Sequence, residues 1–338
     1  MLRRIVAITL VLMAICLGIM APVLAFTPVG KQLFNTLTQV TPTATSSLPI
    51  PTPTPPPSPT PILTVRGKPP SIGATAAYLL DVDTGHTLVD LNGEEPLPMA
   101  STTKIMTAVI AIETADPYQL VTIQQDAYNE VHQNNGSSAF LVVGDKIPLK
   151  YLLYGLLLPS GDDAAVAIAD AVGGTEANFV RIMNIFAYRL HLYQTHYVNP
   201  DGLEAPGHHT SAYDLVRLAR YAMTLPTFAE IVQAQTYMLP ANTDHHRYSW
   251  KTTNTLLGAY KGASGIKTGT TPQAGFCLVF SATRNGHHLI GVVLHDTSEA
   301  LRFADARTLL NWGFSLPLLP PAPYPCLEHG SHNSGNGG

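Results

Sequence analysis

Charge is scarce in this 338-residue sequence: 12% of residues are Asp, Glu, Lys or Arg, about half the usual share. The 19 basic and 23 acidic residues leave a net charge of -4. Such a chain offers no basic field to a phosphate backbone, which excludes nucleic acid as a partner. It also has too few charges for a solvated disordered protein or a long coiled coil. Cysteine is nearly absent. Cys16 lies in an apolar run, Cys277 in an apolar strand pattern and Cys326 in a polar tail, so there is no framework of bridges and Cys277 reads as a core residue. Tryptophan occurs only as Trp250 and Trp312, which read as packing residues; Trp250, near Tyr248, could also edge a substrate cleft. The 13 histidines lack the His-Glu-x-x-His spacing, and the adjacent pairs His208-His209, His245-His246 and His287-His288 point to opposite faces of a strand. No metal and no cofactor is expected.

What is present divides the chain into four parts. Residues 1–26 carry Arg3 and Arg4 ahead of an uncharged run, residues 5–26, just long enough to cross a bilayer core of about 30 Å. The run is read as an uncleaved membrane anchor or as a signal peptide with small residues at Val23 and Ala25. Either reading exports everything after it. Residues 27–70 are rich in Pro, Thr and Ser, with nine prolines between positions 42 and 61. Proline fixes φ and removes the N–H donor, so this part reads as an extended linker. Residues 71–316 are large enough for one domain with a full core, and residues 317–338 read as a disordered tail.

Within the domain, alternation predicts strands over 76–81 and 86–91 around the Asp83-Thr84-Gly85 turn. A helix is expected from Ser101 to about 114, capped by that serine, with Ile105, Ala108, Val109 and Ile112 on one face. Further helices are expected over 149–157, 164–172, 176–190, 211–223 and 299–312, and strands over 262–268, 275–283 and 288–295, the last two joined by Asn285-Gly286. Strands at both ends with helices between predict an antiparallel sheet assembled from the two ends of the domain, with an inserted helical region.

Ser101-Thr102-Thr103-Lys104 places a hydroxyl and an amine one helical turn apart, so a nucleophile and its base could touch. Lys267-Thr268-Gly269 at a strand end could grip a carboxylate, with Gly269 allowing close approach of a substrate backbone. Ser160-Gly161-Asp162, ahead of a helix, could add a hydroxyl and a polar side chain to the same cleft. Each triplet alone is weak. Together and in this order they match the set found in class A β-lactamases and penicillin-binding proteins.

The chain resembles the low-molecular-mass penicillin-binding proteins, specifically the serine D-alanyl-D-alanine carboxypeptidases. The matching stretches are Met99-Ala100-Ser101-Thr102-Thr103-Lys104-Ile105-Met106-Thr107, Leu158-Pro159-Ser160-Gly161-Asp162-Asp163-Ala164-Ala165, Asn199-Pro200-Asp201-Gly202-Leu203 and Gly265-Ile266-Lys267-Thr268-Gly269-Thr270-Thr271. The resemblance implies an α/β (α+β) fold of the β-lactamase/transpeptidase type and a substrate that is a peptidoglycan stem ending in D-Ala-D-Ala. It implies that Ser101 is acylated, Lys104 is its base and Ser160 relays a proton to the leaving amine. Lys267 and Thr268 would hold the terminal carboxylate, with Asp162, Gly269 and Thr270 completing the substrate site. The N–H groups of Ser101 and Thr270 would form the oxyanion hole, and Lys267 would help keep Lys104 neutral by like-charge repulsion. β-Lactam antibiotics are the implied covalent inhibitors, and the place of work is the cell envelope, outside the cytoplasm. The chain departs from the family at Asp162, where Asn is usual; a carboxylate there favours a charged Lys104 and weakens the base. A β-lactamase is disfavoured because no Glu-x-x-x-Asn loop follows Ser160. A D,D-endopeptidase and a catalytically silent wall-binding protein are the alternatives.

Overall fold

The computed structural model describes residues 62–319. The apolar run over 5–26, most of the linker and the tail beyond 319 lie outside the described residues. Among the described residues no helix is long and apolar enough to cross a membrane.

In chain order the elements are β1 (Ile62–Leu63), β2 (Ala76–Asp81), β3 (Thr87–Leu91), a 3-10 turn (Ala100–Thr103), α1 (Lys104–Thr114), β4 (Leu120–Thr122), α2 (Gln125–Asn134), β5 (Lys146–Pro148), α3 (Leu149–Leu157), α4 (Asp162–Gly173), α5 (Glu176–Arg189), α6 (Ala212–Ala222), α7 (Pro226–Gln233), β6 (Thr236–Leu239), β7 (Tyr248–Lys251), β8 (Ala263–Thr271), β9 (Gly275–Arg284), β10 (His287–Asp296), α8 (Glu299–Ser315) and β11 (Leu318–Leu319). The main sheet has five antiparallel strands in the order β3-β2-β10-β9-β8. Its two ends of sequence meet at β2 and β10, as the strand pattern predicts. The β9–β10 hairpin closes through Asn285 and Gly286, both at positive φ, which the type favoured in two-residue loops requires.

Both sheet faces are covered, so the central strands are buried along most of their length, yet side chains still alternate between two cores. Ala76, Tyr78 and Leu80 of β2 join the core shared with the helical region, together with Cys277 and Val279 of β9 and Ile290, Val292 and Leu294 of β10. Ala77, Leu79, Leu278, Phe280, Leu289 and Val293 point the other way, to Phe303, Ala306, Leu309 and Leu310 of α8. Cys277 is a buried free thiol, as expected of a core residue.

Several elements were not legible in the sequence. The two-stranded pairs β4–β5 and β6–β7 are only three or four residues long, too short for a pattern. Helix α2 buries only Ala127 and so shows no apolar stripe. The β1–β11 pair extends ordered structure beyond the 71–316 bounds on both sides, because Ile62 and Leu63 register with Leu319 and Leu318.

Candidate active site

Ser101 lies in the 3-10 turn that runs directly into α1. Residues three apart eclipse in such a turn, so Ser101 and Lys104 project to one side, and Lys104 Nζ stands 2.8 Å from Ser101 Oγ. The expected start of a regular helix at a capping Ser101 is corrected here: the α-helix begins at Lys104, and neither junction has a side-chain cap. The flanking threonines turn their hydroxyls back onto the chain instead. Thr102 Oγ1 donates to Met99 O at 2.7 Å and Thr103 Oγ1 to Ala100 O at 2.8 Å, which leaves the Ser101 hydroxyl for Lys104. Two glycines let this turn pack closely. A Cβ on Gly202, itself at φ +97, would fall 2.0 Å from Ala100 O, and one on Gly269 would fall 3.1 Å from Ser101 N.

Lys104 is 0% exposed, so its charge needs partners inside the protein. It forms a buried ion pair with the Asp162 carboxylate, and its Nζ donates to Asp201 O at 2.7 Å. Asp162 opens α4, and its second oxygen accepts from Ser137 N at 2.6 Å. The Asn199-Pro200-Asp201-Gly202-Leu203 stretch, recognised in the sequence but given no role there, presents the Asp201 carbonyl. Asn199 holds it with bonds to Leu203 O and from Gly202 N, both 2.8 Å, while Thr107 Oγ1 donates to Pro200 O at 2.6 Å.

Burial, and secondly the Asp162 charge, raise the Asp201 carboxyl from 3.8 to about 7, against the opposing pull of Lys104. An acid raised in the folded state holds its proton more strongly there than in the unfolded chain. Stability from this group is therefore lost as pH rises from about 4 through 7. Asp201→Asn removes that loss, so thermal unfolding should show a gain over the native chain at pH 8 and little gain at pH 4. A gain independent of pH would overturn the assignment.

Ser160 and Lys267 form a second pair. Ser160 takes a positive φ of 69 just before α4, and Lys267 Nζ, at the middle of β8, donates to Ser160 Oγ and to Thr268 O, each at 2.8 Å. Burial pushes the Lys267 ammonium well below the usual lysine range, and the charge of Lys104 pushes it the same way. The like-charge effect falls on Lys267, which has no carboxylate within ion-pair distance among the described residues, while Lys104 has Asp162. Thr268 Oγ1 is 2.6 Å from Thr253 Oγ1.

Sequence reasoning missed Arg302. It lies on α8, far from any motif, and is 4% exposed. Its Nη1 donates to Thr270 Oγ1 at 2.8 Å and Gly269 O at 3.2 Å, and its Nη2 pairs with Glu299. No sequence signal short of the fold could have placed it beside the Lys-Thr-Gly strand.

These groups meet at a cleft of about 1190 Å³, whose lining includes Ser101, Asp162, Asn135, Leu203 and Thr270. Lys104, Ser160, Lys267 and Thr268, each 5% exposed or less, are not among its lining residues; Lys104 lies buried against two that are, Ser101 and Asp162. Trp250 and Tyr248 do not line it. Trp250 is 2% exposed, donates to Ala139 O at 2.8 Å and stacks on Tyr248, so it is a packing residue. Among the described residues the one grouping with metal-ligand character is Asp81, Asp83 and His287. Its atoms are engaged in the β2–β3 turn, with Asp81 accepting from Thr84 Oγ1 and contacting His287 Nδ1.

A lysine within reach of a serine hydroxyl, at the edge of a sheet built from both ends of a domain with helices inserted between, defines the class of penicillin-recognising serine enzymes. A family model described as D-alanyl-D-alanine carboxypeptidase matches residues 64–298, and the chain belongs to that family of serine-type hydrolases. It is 40% identical over 259 residues to the D-alanyl-D-alanine carboxypeptidase of Streptomyces sp. (strain K15), covering 73% of this chain and 89% of that one. It is 34% identical to DacF of Bacillus subtilis, over 72% of this chain and 62% of the relative, so it spans less than two thirds of that longer protein. Among solved structures, the crystal structure of the Streptomyces K15 DD-transpeptidase superposes with a TM-score of 0.71 at 38% identity, over 74% of this chain and all of that one. Penicillin binding protein 6B from Escherichia coli gives 0.68 at 34% identity, over 74% and 80%. The family works on peptidoglycan in the cell envelope.

Proposed function

We propose that this chain removes the terminal D-Ala of a stem peptide through an acyl-enzyme on Ser101. The 2.8 Å approach of Lys104 Nζ to Ser101 Oγ carries the reading. Lys104, in its neutral form, takes the Ser101 proton as Oγ attacks the penultimate D-Ala carbonyl. The N–H groups of Ser101 and Thr270 receive the oxyanion, each worth on the order of 3 kcal/mol in another serine hydrolase. Ser160 passes a proton to the leaving amine, and water then releases the peptide.

Lys267, Thr268 and Thr270 hold the terminal carboxylate, with Gly269 giving the backbone clearance. That carboxylate supplies the counter-charge Lys267 lacks. Arg302 acts through its hold on Thr270 Oγ1 and is a positioning residue. Arg302→Gln should raise KM for D-Ala-D-Ala peptides about tenfold while changing kcat less, the signature of a weakened carboxylate grip. An equal fall in kcat at unchanged KM would place Arg302 elsewhere in the mechanism. Residues 5–26 tether the domain to the membrane or direct its export, with the proline-rich segment as spacer; both lie outside the described residues.

The test is release of free D-Ala from diacetyl-Lys-D-Ala-D-Ala by the full chain, with mass spectrometry of a penicillin adduct on the peptide holding Ser101. Absence of both would remove the proposal. Transfer of the acyl group to an amine is a second reading, favoured by the name DD-transpeptidase carried by the Streptomyces K15 structure. Adding an amine acceptor and finding a new peptide bond in place of hydrolysis would establish it.

A further inference from the structure

Behind the nucleophile turn lies a buried imidazole to which the reaction assigns nothing. His208 is 7% exposed and packs edge-on against Tyr197. Val198 N donates to His208 Nδ1 at 3.0 Å, so Nδ1 is the bare nitrogen and Nε2 carries the ring hydrogen. Nε2 stands 2.8 Å from Thr103 Oγ1. A hydroxyl has one hydrogen to give. With the His208 N–H already filling one lone pair of Thr103 Oγ1, that hydrogen goes to Ala100 O, 2.8 Å away. Donors and acceptors thus run in one direction, from Val198 through the ring and the threonine to the carbonyl immediately before Ser101.

That carbonyl belongs to a residue that needs holding. Ala100 sits at φ +48, where a side chain with a Cβ is disfavoured. A cavity of about 230 Å³ lined by Ala100, Gly202 and His208 adjoins it. Burial first, then His196, His209 and Lys104, lower the His208 ring to about 4, so it is neutral under ordinary conditions and the single tautomer is available.

We propose that His208 is a positioning residue, whose Nε2–H fixes the rotamer of the Thr103 hydroxyl and so locks the Ala100–Ser101 turn that aims Ser101 at Lys104. The proposal rests on Ser101 being the nucleophile. His208→Leu removes the donor. His208→Gln keeps an N–H at about the reach of Nε2. Thr103→Val cuts the relay at its next link.

Acylation by a fluorescent penicillin should slow about tenfold in His208→Leu and in Thr103→Val, the worth of one hydrogen bond, and largely recover in His208→Gln. Amide hydrogen exchange at residues 100–103 should quicken in the first two and not in the third. Native-rate acylation with unchanged exchange in His208→Leu overturns the proposal, as does a His208→Gln variant as slow as His208→Leu. Should His208→Leu fail to fold, Thr103→Val and nitrogen-15 spectra of the native imidazole decide, and an Nδ1–H tautomer in those spectra refutes the relay. Exchange and tautomer are read whether or not Ser101 is acylated. An unlabelled native chain would remove the nucleophile assignment and leave the relay to be judged by those two measurements.

Discussion

Ser101→Ala will give a folded protein that releases no D-Ala and takes no penicillin label. Loss of the nucleophile in another serine hydrolase costs about 10⁶ in kcat, and no other hydroxyl here shares its place against Lys104. The fold should tolerate the change because the Ser101 hydroxyl bonds only to Lys104 Nζ among the described residues, and that ammonium keeps the Asp162 carboxylate and Asp201 O. The melting temperature should stay within a few degrees of native. A penicillin adduct persisting in the variant would show that another residue is acylated.

Lys104→Met will be damaging in two separable ways. Chemically it removes the base, a loss of about 10²–10⁴ in acylation rate. Structurally it strands Asp162, 1% exposed, without its cation, and breaking a buried pair in this manner costs about 3–5 kcal/mol. The double variant Lys104→Met/Asp162→Asn removes both charges, so denaturant unfolding should show much of the stability restored while acylation stays lost. A single variant as stable as the native chain would mean that the ion pair does not hold the site together. Asp162→Asn alone keeps an oxygen for Ser137 N and turns an amide toward Lys104. Acylation should then quicken, because Lys104 is no longer held in an ion pair with a carboxylate. An unchanged rate and pH profile would show that the carboxylate at this position is without consequence.

The alternative of a silent wall-binding protein rests on Asp162, whose carboxylate forms a buried ion pair with Lys104. Both lysines are buried, and Lys267, which among the described residues has no carboxylate within ion-pair distance, is the one whose charge burial and the repulsion of Lys104 suppress.

What the sequence by itself determined is whatever depends on neighbours along the chain. Apolar spacing marked helix α3 with its bounds intact and placed α4, α5 and α6 to within a residue or two. The Asn285-Gly286 turn and the apolar runs beside it fixed the β9–β10 hairpin, because two-residue loops demand positive φ. A three-residue spacing brought Ser101 and Lys104 together under either helical geometry. Tertiary structure decided that this spacing is a 3-10 turn, since Gly202 and Gly269, from distant parts of the chain, pack directly against its backbone. It also decided that Asp201, Arg302 and His208 stand around that turn. Each arrives from a separate loop or helix, 97 to 105 residues away in the cases of Asp201 and His208. Periodicity reports only which face of an element is buried; which polar group waits on the far side of that face is set by packing.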